Sequence, residues 1–161
     1  MNARDAKLAE LGFPLETETP EGNLVDAVAF DGDTIYASGQ VPLNGNQLTC
    51  VGKVPSQIDV PTATAAAALC AANVLRAVRK SLGSLDQIER IVRITGYVNS
   101  DPEFTDQHLV INGASQLVRD IFGEQGRHAR TALGLAQLPL GSAVEVEMIL
   151  KRKPGVGDAV G

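Results

Sequence analysis

The chain has 161 residues, 44% hydrophobic and 20% charged, with a formal net charge of -5; this is the composition of one globular domain, large enough to bury roughly 70% of its unfolded surface. The acidic balance gives no general attraction for phosphate backbones, and no Lys/Arg-rich stripe with interleaved aromatics occurs, so nucleic acid is disfavoured as a partner. Cys50 and Cys70 stand alone, without metal-ligand or disulfide-framework spacing, and neither an apolar leader nor a run of membrane-span length is visible. The expectation is a cytoplasmic protein with reduced thiols, no metal, no cofactor and no membrane contact.

In chain order, residues 5–11 have a short helical pattern ending at Gly12, and residues 13–22 read as a connector. Two β-prone runs, 25–30 and 34–38, flank Asp31-Gly32-Asp33, where Asp-Gly predicts a hairpin. Asn44-Gly45-Asn46 marks another turn, and the stretch to Ile58 reads as loop with some edge strand. Asp59 followed by Pro61 opens a helix that reaches Leu82 and stops at Gly83, with an apolar stripe of Ala68, Ala71, Leu75, Val78 and Leu82. Residues 88–98 form a strand, with Val92, Ile94 and Val98 on one face and Arg93, Thr95 and Tyr97 on the other. Asp101-Pro102 predicts the start of a second long helix, whose stripe runs Phe104, His108, Ile111, Ser115, Val118, Phe122 to Gly123.

Two strands then follow, joined by a short turn through Pro139. Alternation in the first puts Thr131, Leu133 and Leu135 on one face and Arg130, Ala132, Gly134 and Ala136 on the other. In the second, Val144, Val146, Met148 and Leu150 form an apolar face, and Glu145 and Glu147 point the opposite way. The stretch from Lys151 to Gly161 reads as a loose tail. The element order gives an α+β layer, one sheet with two helices on one face, and the small, charged side of the Arg130 strand is expected on the uncovered face, sharing it with Glu145.

No phosphate-binding, zinc-protease or nucleophile-elbow motif is present. Arg130 is the best single candidate, because a guanidinium is always charged and its planar fork matches both oxygens of a carboxylate; the competing role is an internal bridge to Glu145 or Glu147. Glu145 could hold a water or exchange a proton with substrate. His128 reads as an exposed loop histidine, His108 as a core or interface histidine on its helix stripe, and Ser38 as either a pocket residue or the end of a strand.

Taken together, the run from Tyr36 through Ser38-Gly39-Gln40 to Asn44, the run from Gly96 to Phe104, and the block from Arg130 to Glu147 closely resemble the RidA (YjgF) family, also known under the label L-PSP. The longer N-terminus, the stretch from Asn112 to Ser115 and the stretch from Gly126 to Arg130 look like a longer-chain subgroup. The resemblance implies a chorismate-mutase-like α+β subunit over residues 23–152, preceded by an extension (1–22) and followed by a flexible tail (153–161). It further implies a homotrimer with clefts between subunits, and cofactor-free hydrolysis of enamines and imines such as 2-aminoacrylate to 2-keto acids and ammonia. By position, Arg130 matches the carboxylate-binding arginine, Glu145 the glutamate that addresses the hydrolytic water, and Ser38 a cleft-lining serine. Leu24 stands where the familiar deaminases have tyrosine, His108 where asparagine is frequent and Ala132 where cysteine is frequent, so the shape and polarity of the implied substrate pocket differ. The alternatives are a non-catalytic module that binds small carboxylates and, third, an endoribonuclease, the old label of some relatives.

Overall fold

The Asp-Gly hairpin forms where the sequence places it. In the computed structural model, which describes residues 2–16 and 24–155, β1 (Val28–Asp31) and β2 (Thr34–Gln40) pair antiparallel with Asp31 opposite Thr34. Gly32, at φ 57°, supplies the left-handed turn conformation that a side chain would resist. A second small hairpin, β3 (Leu43–Asn44) with β4 (Gln47–Leu48), turns at Gly45 and Asn46. Residues 17–23 and 156–161, which hold most of the expected connector and tail, lie outside the described residues.

Helix α2 (Val60–Leu82) starts and stops as its sequence dictates: the Asp59 side chain accepts from the Thr62 amide at 2.8 Å, and Gly83 ends the helix at φ 81°. Of its expected stripe, Ala71, Leu75, Val78 and Leu82 are buried and Ala68 is half-buried. Ala63, Ala67, Cys70 and Val74 widen the buried face, because α2 packs against both the sheet and a second long helix. By length and composition α2 could cross a membrane, contrary to the reading of the sequence, but half of its apolar window is buried inside the fold. This is how the core helix of a globular domain passes the same test.

The second long helix, α3 (Gln107–Phe122), begins five residues later than Asp101-Pro102 predicts. Asp101 forms a tight turn instead, its carbonyl accepting from the Phe104 amide at 3.1 Å and its carboxylate from the Ser56 amide at 2.8 Å. Of the expected stripe, Ile111, Val118 and Phe122 are buried, joined by Val110, Ala114, Leu117 and Ile121, while Ser115 is half-buried, His108 is exposed in the first turn and Phe104 lies before the helix. Where α3 crosses α2 the backbones approach so closely that a Cβ on Gly113 would overlap the Thr64 carbonyl.

The remaining strands, β5 (Ile88–Asn99), β6 (Ala129–Leu135) and β7 (Val144–Arg152), complete a five-stranded mixed sheet in the order β1-β2-β7-β5-β6. Only β5 and β6 run parallel, joined through α3. Register shifts in β5 around residues 88–93 reset its alternation, so Ile91 and Ile94 are both buried and Val92, expected beside Ile94, is only half-buried. Strand β7 runs to Arg152, and the Lys153 amide donates to the Gln87 carbonyl at 2.9 Å, so the ordered chain extends past the expected start of the tail.

The short N-terminal helix expected over residues 5–11 forms as α1 (Ala3–Glu10), which begins two residues earlier. Its Leu8 is fully buried and its Asp5 carboxylate accepts from the Leu85 amide at 2.9 Å. The long helices cover one face of the sheet. The other face carries Tyr36, Tyr97, Leu133 and Leu135, of which Tyr36, Leu133 and Leu135 are exposed.

Candidate functional site

Arg130 lies near the start of β6, and its direction is set by its neighbour in the sheet. β6 pairs with β5 in the register Ile94 opposite Arg130, Gly96 opposite Ala132 and Tyr97 opposite Leu133. Ile94 and Gly96 face the helices, since Ile94 is buried and a Cβ on Gly96 would overlap the Ile111 side chain. Arg130, Ala132 and Gly134 therefore point to the helix layer, and Thr131, Leu133 and Leu135 to the open face. This reverses the sequence expectation. The small residues face α3 because the helix needs room there: a Cβ on Gly134 would lie 2.6 Å from Gln107 Nε2.

On the helix side, Arg130 Nη1 donates to Asn112 Oδ1 at 2.8 Å and to Ser115 Oγ at 3.1 Å. Asn112 and Ser115 are three residues apart and so share one face of α3. Behind Ser115 stands His128, its Nε2 3.0 Å from Ser115 Oγ and its Nδ1 2.7 Å from the Gly126 carbonyl. No carboxylate among the described residues forms an ion pair with Arg130. The internal bridge to Glu145 or Glu147 is thus absent, and the guanidinium is held half-buried by neutral acceptors alone.

Glu145 sits across the sheet. Its partner across the β5–β7 ladder is Tyr97, and Glu147 is opposite Thr95, so both carboxylates leave the open face while Val144, Val146, Met148 and Leu150 are buried beneath the helices. Within one chain, Arg130 and Glu145 therefore depart from opposite faces, with β5 between their strands. The irregularity in β2 between Ala37 and Gln40 opens the sheet beside Glu145, and the absence of a side chain on Gly39 gives its carboxyl room: a Cβ there would overlap Glu145 Oε1. Glu145 lines a cavity of about 740 Å³ together with Gly39, Gln40, Asn73, Arg76 and Leu140. Burial first, then the Glu147 charge, push the Glu145 carboxyl above its ordinary range. Tyr97 donates to Glu147 Oε1 at 3.1 Å, which occupies Glu147 and leaves Glu145 the better placed of the two to take a proton.

The other expected residues do not converge on either group in the single chain. The Ser38 hydroxyl donates to the Asp26 carbonyl at 2.6 Å, tying the end of β2 to the lead-in of β1. Leu24 is fully exposed, His108 is exposed on the first turn of α3, and Ala132 packs against the core on the Arg130 side. Asn112, Ser115 and His128 are the residues that sequence reasoning did not assign to the site. His128 is half-buried and doubly bonded rather than an exposed loop residue. A signal existed, since the two stretches that set this chain apart, 112–115 and 126–130, are the two that meet here.

Among known proteins, the family described as "YjgF/chorismate_mutase-like, putative endoribonuclease" matches residues 7–151. The chain belongs to this family. Protein TCP17 of Trypanosoma cruzi is 41% identical over 148 residues, 91% of this chain and 92% of that one. The crystal structure of protein Atu1372 of Agrobacterium tumefaciens, of unknown function, is 40% identical with a TM-score of 0.86, covering 93% and 92% of the two chains. That of a putative endoribonuclease of Shewanella oneidensis MR-1 is 26% identical with a TM-score of 0.87, covering 93% and 99%. The YjgF fold thus extends over nearly the whole chain.

Proposed function

We propose that this YjgF-family chain hydrolyses reactive enamine and imine intermediates of the 2-aminoacrylate type, at clefts between the subunits of a homotrimer. The observation that carries the reading is the unpaired charge of Arg130: a half-buried guanidinium, oriented by Asn112 and Ser115 and meeting no carboxylate of its own among the described residues, is fitted to take one from a ligand. In the imine tautomer, water adds to the carbon of the C=N bond, the C–N bond breaks, and nitrogen leaves as ammonia, giving the 2-keto acid. Arg130 fixes the carboxylate end, and Glu145, whose pKa is raised by burial and by the Glu147 charge, takes a proton from the attacking water. The imine carbon is already electrophilic, so the scheme calls for no metal or cofactor.

Because Arg130 and Glu145 leave opposite faces of one sheet, a ligand addressed by both would take Arg130 from one subunit and Glu145 from its neighbour. The exposed Tyr36, Leu133 and Leu135 favour covering of the open face by further copies. The test is to supply 2-aminoacrylate from a threonine dehydratase acting on serine and to follow pyruvate release. The protein should accelerate release and Arg130→Ala should not. If both behave like buffer, the deaminase reading is wrong for this substrate.

A second reading, binding of small carboxylates without turnover, is favoured by the distance between Arg130 and Glu145 in sheet terms. Thermal stabilisation by pyruvate without any acceleration would select it. RNA cleavage by a nuclease-free preparation, lost in Arg130→Ala, would instead restore the endoribonuclease name borne by the Shewanella relative.

A further inference from the structure

We propose that Ser115 and His128 are positioning residues for Arg130, forming a one-way chain of hydrogen bonds that decides which edge of the guanidinium is offered to a ligand carboxylate. The inference rests on the carboxylate-binding reading of Arg130 above. Its basis is that every donor direction in the chain is fixed by chemistry. A guanidinium can only donate, so Ser115 Oγ accepts from Arg130 Nη1. The Gly126 carbonyl can only accept, so His128 Nδ1 carries a hydrogen and donates to it at 2.7 Å. In the neutral ring Nε2 is then a lone pair, and it takes the remaining Ser115 hydroxyl hydrogen across 3.0 Å. The Arg130 Nη1 group has two hydrogens, one directed to Ser115 and one to Asn112. This leaves the opposite edge, Nε with Nη2, as the fork for a two-point grip on a carboxylate.

The ring must stay neutral for the chain to hold. A protonated His128 would direct a second donor at Ser115 Oγ and place a second cation one hydroxyl away from Arg130. The surroundings work against that state: burial first, then the charges of Arg130 on β6 and Arg119 on α3, hold His128 below its ordinary range, while the Gly126 carbonyl acts the other way. The carboxylate next in line, Glu124 in the turn after α3, is engaged by Arg119 at 3.4 Å and Arg127 at 2.8 Å. Protonation breaks the chain, so the neutral ring is the form that holds the fork in place, and a carboxylate gripped by Arg130 favours that form. By reciprocity the ligand binds more weakly as the pH falls through the His128 titration, whereas plain attraction between the ligand and a His128 cation would shift the midpoint the other way.

The experiment measures pyruvate affinity by calorimetry on wild type, Arg130→Ala, Ser115→Ala, Ser115→Thr and His128→Phe, and follows the His128 ring by NMR titration in wild type with and without saturating pyruvate. Expected are binding lost in Arg130→Ala, about tenfold weaker binding in Ser115→Ala and His128→Phe, wild-type affinity in Ser115→Thr, which keeps the hydroxyl, and a His128 midpoint that falls with ligand. If Arg130→Ala loses binding while Ser115→Ala and His128→Phe match wild type, the positioning role is wrong and the carboxylate site stands. Wild-type affinity in Arg130→Ala would remove both. The wild-type titration is independent of how the variants fold, and a midpoint that rises or is unmoved with bound pyruvate overturns the positioning role.

Discussion

The two charged groups singled out in the sequence occupy opposite kinds of surroundings. Arg130 is tucked against α3, held by an amide oxygen and a hydroxyl, and its charge has no opposite partner among the described residues. Glu145 stands beside an irregularity in the sheet, where burial first and then the neighbouring Glu147 carboxylate discourage its charge. On the proposed function the first corner keeps a cation for a ligand's anion, while the second makes a carboxyl readier to hold a proton. The contrast shows that fold position, more than residue type, assigns the roles, since the same guanidinium beside Glu147 would have been a structural ion pair worth little.

The comparison breaks most severely where each group is removed. In the dehydratase-coupled assay, Glu145→Gln should lower kcat by about a hundredfold or more with KM nearly unchanged, as expected for loss of a proton-transfer group. Arg130→Ala should chiefly raise KM. Matching losses in both parameters for both variants would mean that the corners do not divide the work.

A smaller effect sharpens the same contrast at the α3 corner. Asn112→Asp keeps the shape of the acceptor but supplies the anion that Arg130 lacks, so pyruvate affinity should weaken by about tenfold while the melting temperature holds or rises. Unchanged affinity would show that the neutrality of the cradle is incidental.

The smallest expected change concerns the other corner. Glu147→Gln retains an oxygen for Tyr97 but removes the charge that helps to raise Glu145. Glu145 should then ionise at lower pH, and if its ionised form is the working one, the acid limb of the pH–rate profile moves to lower pH. Burial, the larger cause, remains, so the limb should still lie above that of an ordinary carboxylate. A limb that stays in place would separate Glu145 from the pH dependence.

Most of the frame was legible because it is written locally. Asp-Gly at 31–32, Asp59 before Pro61 and Gly83 each act within a few residues, and the structure follows them. Asp101-Pro102 looked like the same kind of helix start, but the Ser56 amide captures the carboxylate from a distant loop and the helix begins later. A contact forty-five residues away cannot be read from the local pattern. The facing of β6 departs from its pattern for a related reason. Alternation points to leucines on the core side and small residues on the open side, yet close packing under α3 demands the small ones, and Leu133 and Leu135 are left outside. Arg130 and Glu145 were thus identified as residues, while their separation by the sheet, and the company of Asn112, Ser115 and His128, depended on a parallel pairing that only the tertiary structure specifies.

One consequence follows from where the aromatic side chains lie. The sequence contains no tryptophan and two tyrosines, and both tyrosines, Tyr36 and Tyr97, stand on the sheet surface away from the helices. Near-ultraviolet emission from this protein is therefore a label-free gauge of that single surface. It would register wetting or covering there on dilution, and it would be blind to events around the guanidinium on the far side.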